Sequence, residues 1–532
     1  MTGGSTEEVA AAEGPGAEWQ RRRAITSSDV VAAVVLLVLA VIARGGALPT
    51  DGLYRDDAWV VTSVVHGSPT ELLWVGWAHP GFTAILMAWG PLIDNDAVRF
   101  AYPVLAAGAI GPSLLYLALR WFGYARAIAL VLAAALLAAH IHIEYSGRVK
   151  PYVIDPLVVL GLAVVLPRLA RATWRWPLAF GWVAGALVLS SLSSFALVAT
   201  AVAGLMIVLG SSTDRLVRVA AVGVQGAASL AYVVLTRDLH NIDAVEDFWT
   251  NRNDAFPEFT FNPFGLIAEL VQHVRRVTEV FPGGRGWLPL LWFGAALAGL
   301  VLASVRGSNR VRARYLALVL LAALVAGFAR MLPFGAITGG VVGDGGRVSL
   351  WLIPPVAIGL AAALHFLRLR AGPLSRPLRV GLDGTLYVAA AVLVLSAIDG
   401  PRPTYPVKGS AGATRFIESR LGARDVILML PLSRWEYVSG SHLDTDLKED
   451  PKVMTGFNPH FKDPRVHVLT TGTTAEIEQA VADADQVFTY AAILGFSNFG
   501  PVSEVLDAQG FVEEAGAVYG GNSDAAVRVW RR

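Results

Sequence analysis

Eleven stretches of this chain are apolar over the length a helix needs to cross a bilayer, about 20 residues. They lie at roughly 29–48, 99–119, 124–143, 151–167, 177–193, 194–210, 217–236, 287–304, 315–335, 348–369 and 379–399. In hydrocarbon every backbone polar group must be bonded internally, so such a chain folds as a polytopic α-helical membrane protein. The composition agrees: 54% of the 532 residues are hydrophobic and 16% charged, with a mean hydropathy of +0.53. A further apolar stretch, 78–93, is short. It is expected to be re-entrant or interfacial, giving eleven spans; the rival is a hairpin folded from 78–110, giving thirteen.

Positive loops stay in the cytoplasm. Arginines collect at 21–23, at 120 and 126, at 168, 171 and 175, at 215 and 218, at 306, 310, 312 and 314, and at 368, 370, 376 and 379. With these inside, 49–98, 144–150, 237–286, 336–347 and 400–532 face the outside of the plasma membrane. Residues 1–28 are then a cytoplasmic N-terminus, Gly- and Glu-rich and expected to be disordered at its start. The first span lacks a small-residue cleavage site and reads as an uncleaved helix.

Residues 29–399 are thus expected to form the membrane domain and 400–532 an extracytoplasmic soluble α/β domain. In the latter, short runs at 425–430, 466–470, 486–490 and 525–530 have strand character and alternate with helix-like stretches at 413–421 and 475–482. The net charge of +1 reflects the basic cytoplasmic rim and implies no nucleic-acid partner. The chain has no cysteine, which excludes disulfides, thiolate metal sites and a thiol nucleophile.

Candidate chemistry collects in the outer loops. Arg55, Asp56 and Asp57 stand at a loop-to-helix junction near the lipid surface, where a carboxylate can take a proton from a hydroxyl; the plainer alternative is a helix-capping pair. His79-Pro80 opens the short apolar helix after Trp74 and Trp77, a position suited to a phosphate or to an aromatic interface belt. His142, Glu144, Tyr145, Arg148, Lys150, Tyr152 and Asp155 cluster at the junction of two spans, where charges are costly. Arg148 and Lys150 there run against the positive-inside bias, which points to an anionic partner. Arg347 follows glycines at 339, 340, 343, 345 and 346 and is placed for a second phosphate contact; the run lacks the GK[ST] ending of a nucleotide-binding loop.

Taken in order, these elements resemble the bacterial GT-C membrane glycosyltransferases related to protein O-mannosyltransferases and lipid A aminoarabinose transferases. The series runs from the acidic pair through His79-Pro80, Arg99, Arg120-Trp121-Phe122-Gly123-Tyr124-Ala125-Arg126 and Tyr145-Ser146-Gly147-Arg148 with Asp155. It closes with Arg347 before Trp351-Leu352-Ile353-Pro354-Pro355. The chain departs from the family pattern at Gly81, where a second proline is common, and at Lys150-Pro151-Tyr152. The resemblance implies an inverting transfer of a sugar, arabinofuranose or mannose, from a polyprenyl-phosphate donor to an envelope glycan, glycolipid or protein. It assigns Asp56 as general base with Asp57 as alternate, and phosphate contacts to His79, Arg148, Lys150 and Arg347. No cofactor is obligatory; a divalent cation is possible, with Asp56, Asp57 or Glu144 as ligands. A lipid-linked-sugar flippase and a non-catalytic envelope scaffold are the alternatives from other classes. Trp435, Tyr437 and His442 are expected as glycan contacts on the soluble domain.

Overall fold

The computed structural model describes residues 25–67, 79–210, 214–236, 249–250, 254–277, 288–306, 309–334, 344–371, 376–399, 410–449, 457–469, 472–492, 500–514 and 525–532. Expectations for the first 24 residues, for Trp74 and Trp77, and for the glycines at 339, 340 and 343 lie outside them. Helices in order are α1 (Ser27–Arg44), α2 (Arg55–His66), α3 (Pro80–Trp89), α4 (Tyr102–Trp121), α5 (Arg126–Leu137), α6 (His140–Tyr145), α7 (Ile154–Arg171), α8 (Trp176–Ser190) and α9 (Ser194–Val208). They continue with α10 (Arg215–Thr236), α11 (Pro263–Val277), α12 (Leu288–Arg306), α13 (Arg310–Phe328), α14 (Ile353–Ala371) and α15 (Arg376–Asp399).

Every apolar stretch read from the sequence lies largely on a helix. Among the described residues six segments are long and apolar enough to span a bilayer: Ser27–Ala47, Ala97–Trp121, Pro151–Arg171, Arg310–Phe328, Arg347–Arg370 and Pro377–Ile398. Five other apolar helical segments among the described residues are shorter: Pro80–Ile93, Arg126–Leu137, Trp176–Ser190, Ser194–Val208 and Leu290–Val305. The stretch 124–143, for example, is interrupted where extended Ala139 separates α5 from α6. The short stretch 78–93 is the ten-residue α3 plus one 3-10 turn. Ten residues rise about 15 Å, half the hydrocarbon thickness. The chain then turns through Asp94 and Asn95, both with positive φ, before α4 begins.

The two ends of α1 are held differently. At its start Thr26 forms a capping box with Asp29, and Asp29 also accepts from Arg120 (3.0 Å), Arg126 (3.1 Å) and Tyr116 (2.8 Å). The Arg120-to-Arg126 motif is therefore a clamp on the first helix. At the other end, about 27 Å away by helical rise, buried Arg44 meets His142 Nδ1 at 2.9 Å and Ser146 Oγ at 3.2 Å. The site described below lies at this second end.

Beyond α15 the chain forms α16 (Ser410–Glu418), β1 (Val426–Met429), α17 (Arg434–Gly440), β2 (Thr445–Glu449), β3 (Phe457–Phe461), β4 (Val466–Val468), α18 (Thr474–Val481), β5 (Gln486–Ala492), α19 (Gly500–Ala508), β6 (Val512–Glu513) and β7 (Ala525–Arg531). The main sheet has the order β4-β1-β5-β7-β6, with β1 parallel to β4 and β5 and β7 antiparallel to β5 and β6; β2 and β3 form an antiparallel pair. Side chains alternate across the sheet. Val426, Leu428 and Val487 pack under α18 and α19, whereas Ile427, Met429 and Phe488 pack under α16 and α17. Burial on both faces explains why these strands read as continuous apolar runs.

This α/β layer is joined to the membrane helices through α2. Trp435 of α17 lies 6.1 Å from Trp59 of α2 and belongs to the same core as the membrane helices. Arg415 pairs with Asp51 at 3.0 Å. Gly52, with φ +101°, lets the loop approach closely: a Cβ there would stand 1.7 Å from Ser410 Oγ and 2.8 Å from the Ala411 nitrogen. Trp435 is buried in this contact, Tyr437 is buried in the sheet core against Phe461 and Tyr490, and His442 is exposed.

Candidate functional site

The acidic pair sits in the first turn of α2, where carboxylates complement the free N–H groups and the helix dipole. Consecutive helical residues point about 100° apart, and the two aspartates part accordingly. Asp57 is fully buried. It receives Arg148 Nε at 2.6 Å and the Val149 N–H at 3.1 Å, so both its oxygens are engaged. Arg148 is itself buried, lying 4.2 Å from the centre of the Tyr54 ring and 4.0 Å from Glu144. Gly147 makes this approach possible, since a Cβ there would be 1.8 Å from the Ala47 carbonyl oxygen. The Tyr145-Ser146-Gly147-Arg148 motif thus locks the ends of the first spans remote from Asp29 to α2.

Asp56 remains partly exposed, at 22% of its side chain, and lies 3.6 Å from Arg55. Burial pushes its carboxyl up, but Lys150, Arg347, Arg55 and Arg148 together outweigh burial and hold it below the usual carboxylate range. It is ionised throughout neutral pH.

Lys150 is buried, with its ammonium 5.5 Å from the Trp59 ring centre. Burial pushes its amine down to about 7; Asp56 and Asp57 pull upward, Arg347 and Arg148 further down. Arg347 comes from a 3-10 helix, Asp344–Leu352, that leads into α14. Its position is set by Trp351, buried and stacked on Phe195 at 4.2 Å and 10°. From there Arg347 donates to the Tyr145 hydroxyl (3.4 Å) and lies against the rings of Tyr152 and Trp249 at 6.0 and 5.7 Å. Tyr145 and Tyr152 meet edge to face.

The structure therefore brings together Arg55, Asp56, Asp57, Glu144, Tyr145, Arg148, Lys150, Tyr152 and Arg347. It gives the remaining three candidates other contacts, His142 meeting Arg44 as described above. Asp155, buried on α7, accepts from Ser193 and ties α7 to the start of α9. His79 caps α3, and its Nε2 accepts from the Ser194 N–H at 3.1 Å, which binds it to the α8–α9 turn. Gly81 in the same turn donates its N–H to the Ser191 carbonyl at 2.9 Å. A second proline there would lack that donor. Sequence reading missed Tyr54, Trp59 and Trp249, which wall the site, and Glu436 on α17, whose carboxyl is within electrostatic reach of Arg55 and Asp56. Among the described residues no three His, Asp or Glu side chains are grouped to hold a metal ion.

Chemically, the arrangement offers a partly exposed ionised carboxylate bordered by Arg55, Arg148, Lys150 and Arg347. Preorganised cations of this kind stabilise an anion that develops during reaction.

No family model matches the chain, and no curated protein matches it in sequence. Solved structures do. The structure of ArnT from Cupriavidus metallidurans bound to undecaprenyl phosphate matches over 95% of this chain and 98% of that one, at 12% identity and a TM-score of 0.51. The chain has the GT-C fold. The oligosaccharyltransferase of Archaeoglobus fulgidus aligns with TM-score 0.46 and 11% identity, over 86% of this chain and 67% of that one. The arabinofuranosyltransferase AftD from Mycobacteria aligns with TM-score 0.47 and 15% identity, over 96% of this chain and 40% of that one.

Proposed function

We propose that this GT-C chain is an inverting glycosyltransferase that takes a sugar from a polyprenyl-phosphate donor on the outer face of the membrane. The observation that carries the reading is the placement of Asp56, an ionised and partly exposed carboxylate surrounded by Lys150, Arg347, Arg55 and Arg148. Asp56 takes the proton of an acceptor hydroxyl while its oxygen attacks the anomeric carbon from the side opposite the phosphate. The bond from that carbon to the phosphate oxygen breaks with its electron pair on the oxygen. A glycoside and polyprenyl phosphate result, with the acceptor proton on Asp56. The leaving phosphate gains charge as it departs, which is where Lys150 and Arg347 act; such stabilisation contributes about 3 to 4 kcal/mol per well-aimed donor. Asp57 holds Arg148 and the helix turn in place rather than taking the proton.

The lipid specificity is supported by the same fold in ArnT, whose structure contains undecaprenyl phosphate. The outer location is supported by Asp29, Arg120 and Arg126 standing at the opposite end of α1 from the site. The absence of cysteine allows single introduced cysteines to report sidedness: a cysteine at His442 should label with an impermeant maleimide in intact cells and one at Arg215 should not. The functional test is mass spectrometry of lipid copurifying with the detergent-solubilised protein, followed by transfer assays with arabinofuranosyl and mannosyl polyprenyl phosphates. Transfer that disappears in Asp56→Asn supports the reading. Binding of the lipid without transfer to any acceptor would favour a flippase and overturn it.

A further inference from the structure

We propose that Glu436, carried by the C-terminal layer, is an acceptor-binding residue whose carboxyl hydrogen-bonds a sugar hydroxyl next to the one that Asp56 deprotonates. This rests on the glycosyltransferase reading above. Three observations carry it. Glu436 lies on α17, which packs directly on α2 through Trp435 and Trp59. Its side chain is 1% exposed, yet among the described residues neither carboxyl oxygen has a hydrogen-bond partner in another residue. Its ionisable neighbours are Arg55 and Asp56 of the first turn of α2, and Tyr490 of β5.

Other acids of the layer are occupied. Glu418 receives Ser441 and the His442 N–H, Asp463 receives Arg465, and Asp444 and Asp446 receive Lys462. A buried polar group without a partner in another residue is costly and rare in native folds, so Glu436 calls for an explanation. Burial raises its carboxyl to about 8, opposed by its own backbone N–H and by Arg55, with Asp56 adding to the rise. The group is thus protonated at neutral pH and is both a donor and an acceptor. Sugar hydroxyls have the same dual character. A phosphate would be served by the cations instead, and a hydrocarbon tail would not need a carboxyl. Its neighbours Arg55 and Asp56 are partly exposed, at 32% and 22% of their side chains, so an acceptor reaching Glu436 would approach from their side.

The test uses the full-length protein in detergent, farnesyl-phosphoryl arabinofuranose and farnesyl-phosphoryl mannose as donors, and octyl arabinofuranoside and octyl mannoside as acceptors. Glu436→Leu should raise the acceptor KM at least tenfold with the donor KM within twofold, and should raise the unfolding temperature because an unsatisfied group is gone. Glu436→Gln keeps a donor and an acceptor and should stay within threefold of wild type. An unchanged acceptor KM in Glu436→Leu, or a shifted donor KM, overturns the proposal. So does a Gln variant as impaired as the Leu variant, which would mean an ionised role such as cation binding. Saturation-transfer NMR of the octyl glycosides without donor separates the two claims. If wild type transfers neither sugar but Glu436→Leu still loses glycoside binding, the acceptor site stands and the transferase reading falls. A wild-type protein that binds neither glycoside overturns the acceptor site.

Discussion

Replacing each aspartate of the pair by asparagine should give two different defects. Asp57→Asn strips the charge from a carboxylate that takes Arg148 Nε at 2.6 Å and the Val149 N–H at 3.1 Å. The amide has one oxygen, so one of these two donors would face an NH2 group. Leaving a buried guanidinium without its counter-ion costs about 3 to 5 kcal/mol. The Tyr54 ring and Glu144 offset part of that, so about 3 kcal/mol is expected, a drop of a few degrees in unfolding temperature for a chain of this size. Because the turn carrying Asp56 loses its anchor, undecaprenyl phosphate binding should weaken too. Asp56→Asn removes a partly exposed group and should cost less stability. It leaves the surrounding cations less neutralised, so undecaprenyl phosphate should bind as tightly as in wild type or more tightly, while transfer falls by about 10²- to 10⁴-fold. Thermal unfolding by tryptophan fluorescence and lipid titration on purified variants read both quantities. If Asp57→Asn unfolds at the wild-type temperature, or if Asp56→Asn is the more destabilised of the two, the division of roles is wrong.

Lys150 is charged below about 7 and loses its charge above, so undecaprenyl phosphate affinity should fall as pH rises from 6 to 8.5, by about tenfold for one lost charge-assisted contact. Lys150→Arg should flatten that profile, and a wild-type profile that is already flat would refute the assignment. The same depressed amine has the opposite effect on the fold: between about 7 and the unfolded value of 10.5 the unfolded chain binds more protons, so stability of the lipid-free protein should rise with pH across that window. Arg347→Ala should weaken lipid binding as well as turnover, since the phosphate is charged before reaction begins; an unaltered lipid affinity in titration would remove Arg347 from the phosphate site. Gly52→Ala should part the C-terminal layer from α2, because the added Cβ meets the Ser410 hydroxyl and the Ala411 backbone; limited proteolysis of the variant at wild-type rates would show that the loop absorbs the change.

The membrane architecture was legible because hydrocarbon leaves few options: each long apolar stretch became a helix, and four expected strand runs became β1, β4, β5 and β7. Full span length was not legible, because a break such as Ala139 between α5 and α6 leaves hydropathy unchanged. The gathering of Arg148 and Lys150 around the aspartate pair was legible because their charge stood against the local grain. What could not be read was pairing. Nothing in adjacent Asp56 and Asp57 tells which one Arg148 takes from 91 positions away. Glu436 gave no signal either: an acid in a short helix of a soluble segment is ordinarily solvated, and only the packing of α17 on α2 makes it unusual.

Packing also changes what the C-terminal layer means for the chemistry. Helix α2 is gripped from both sides. Asp57 ties it to the ends of the membrane helices remote from Asp29 through Arg148, whereas Trp59, Asp51 and Gly52 tie it to α16 and α17. Asp56 stands on the turn between these two attachments, so its distance from Lys150 and Arg347 depends on one and its distance from Glu436 on the other. A displacement of about 1 Å in a reacting group can cost two orders of magnitude in rate. If the proton acceptor is Asp56 and an acceptor sugar is held at Glu436, anything that moves α17 moves the base relative to the phosphate, and acceptor engagement at the layer would be coupled to catalysis through a single helical turn.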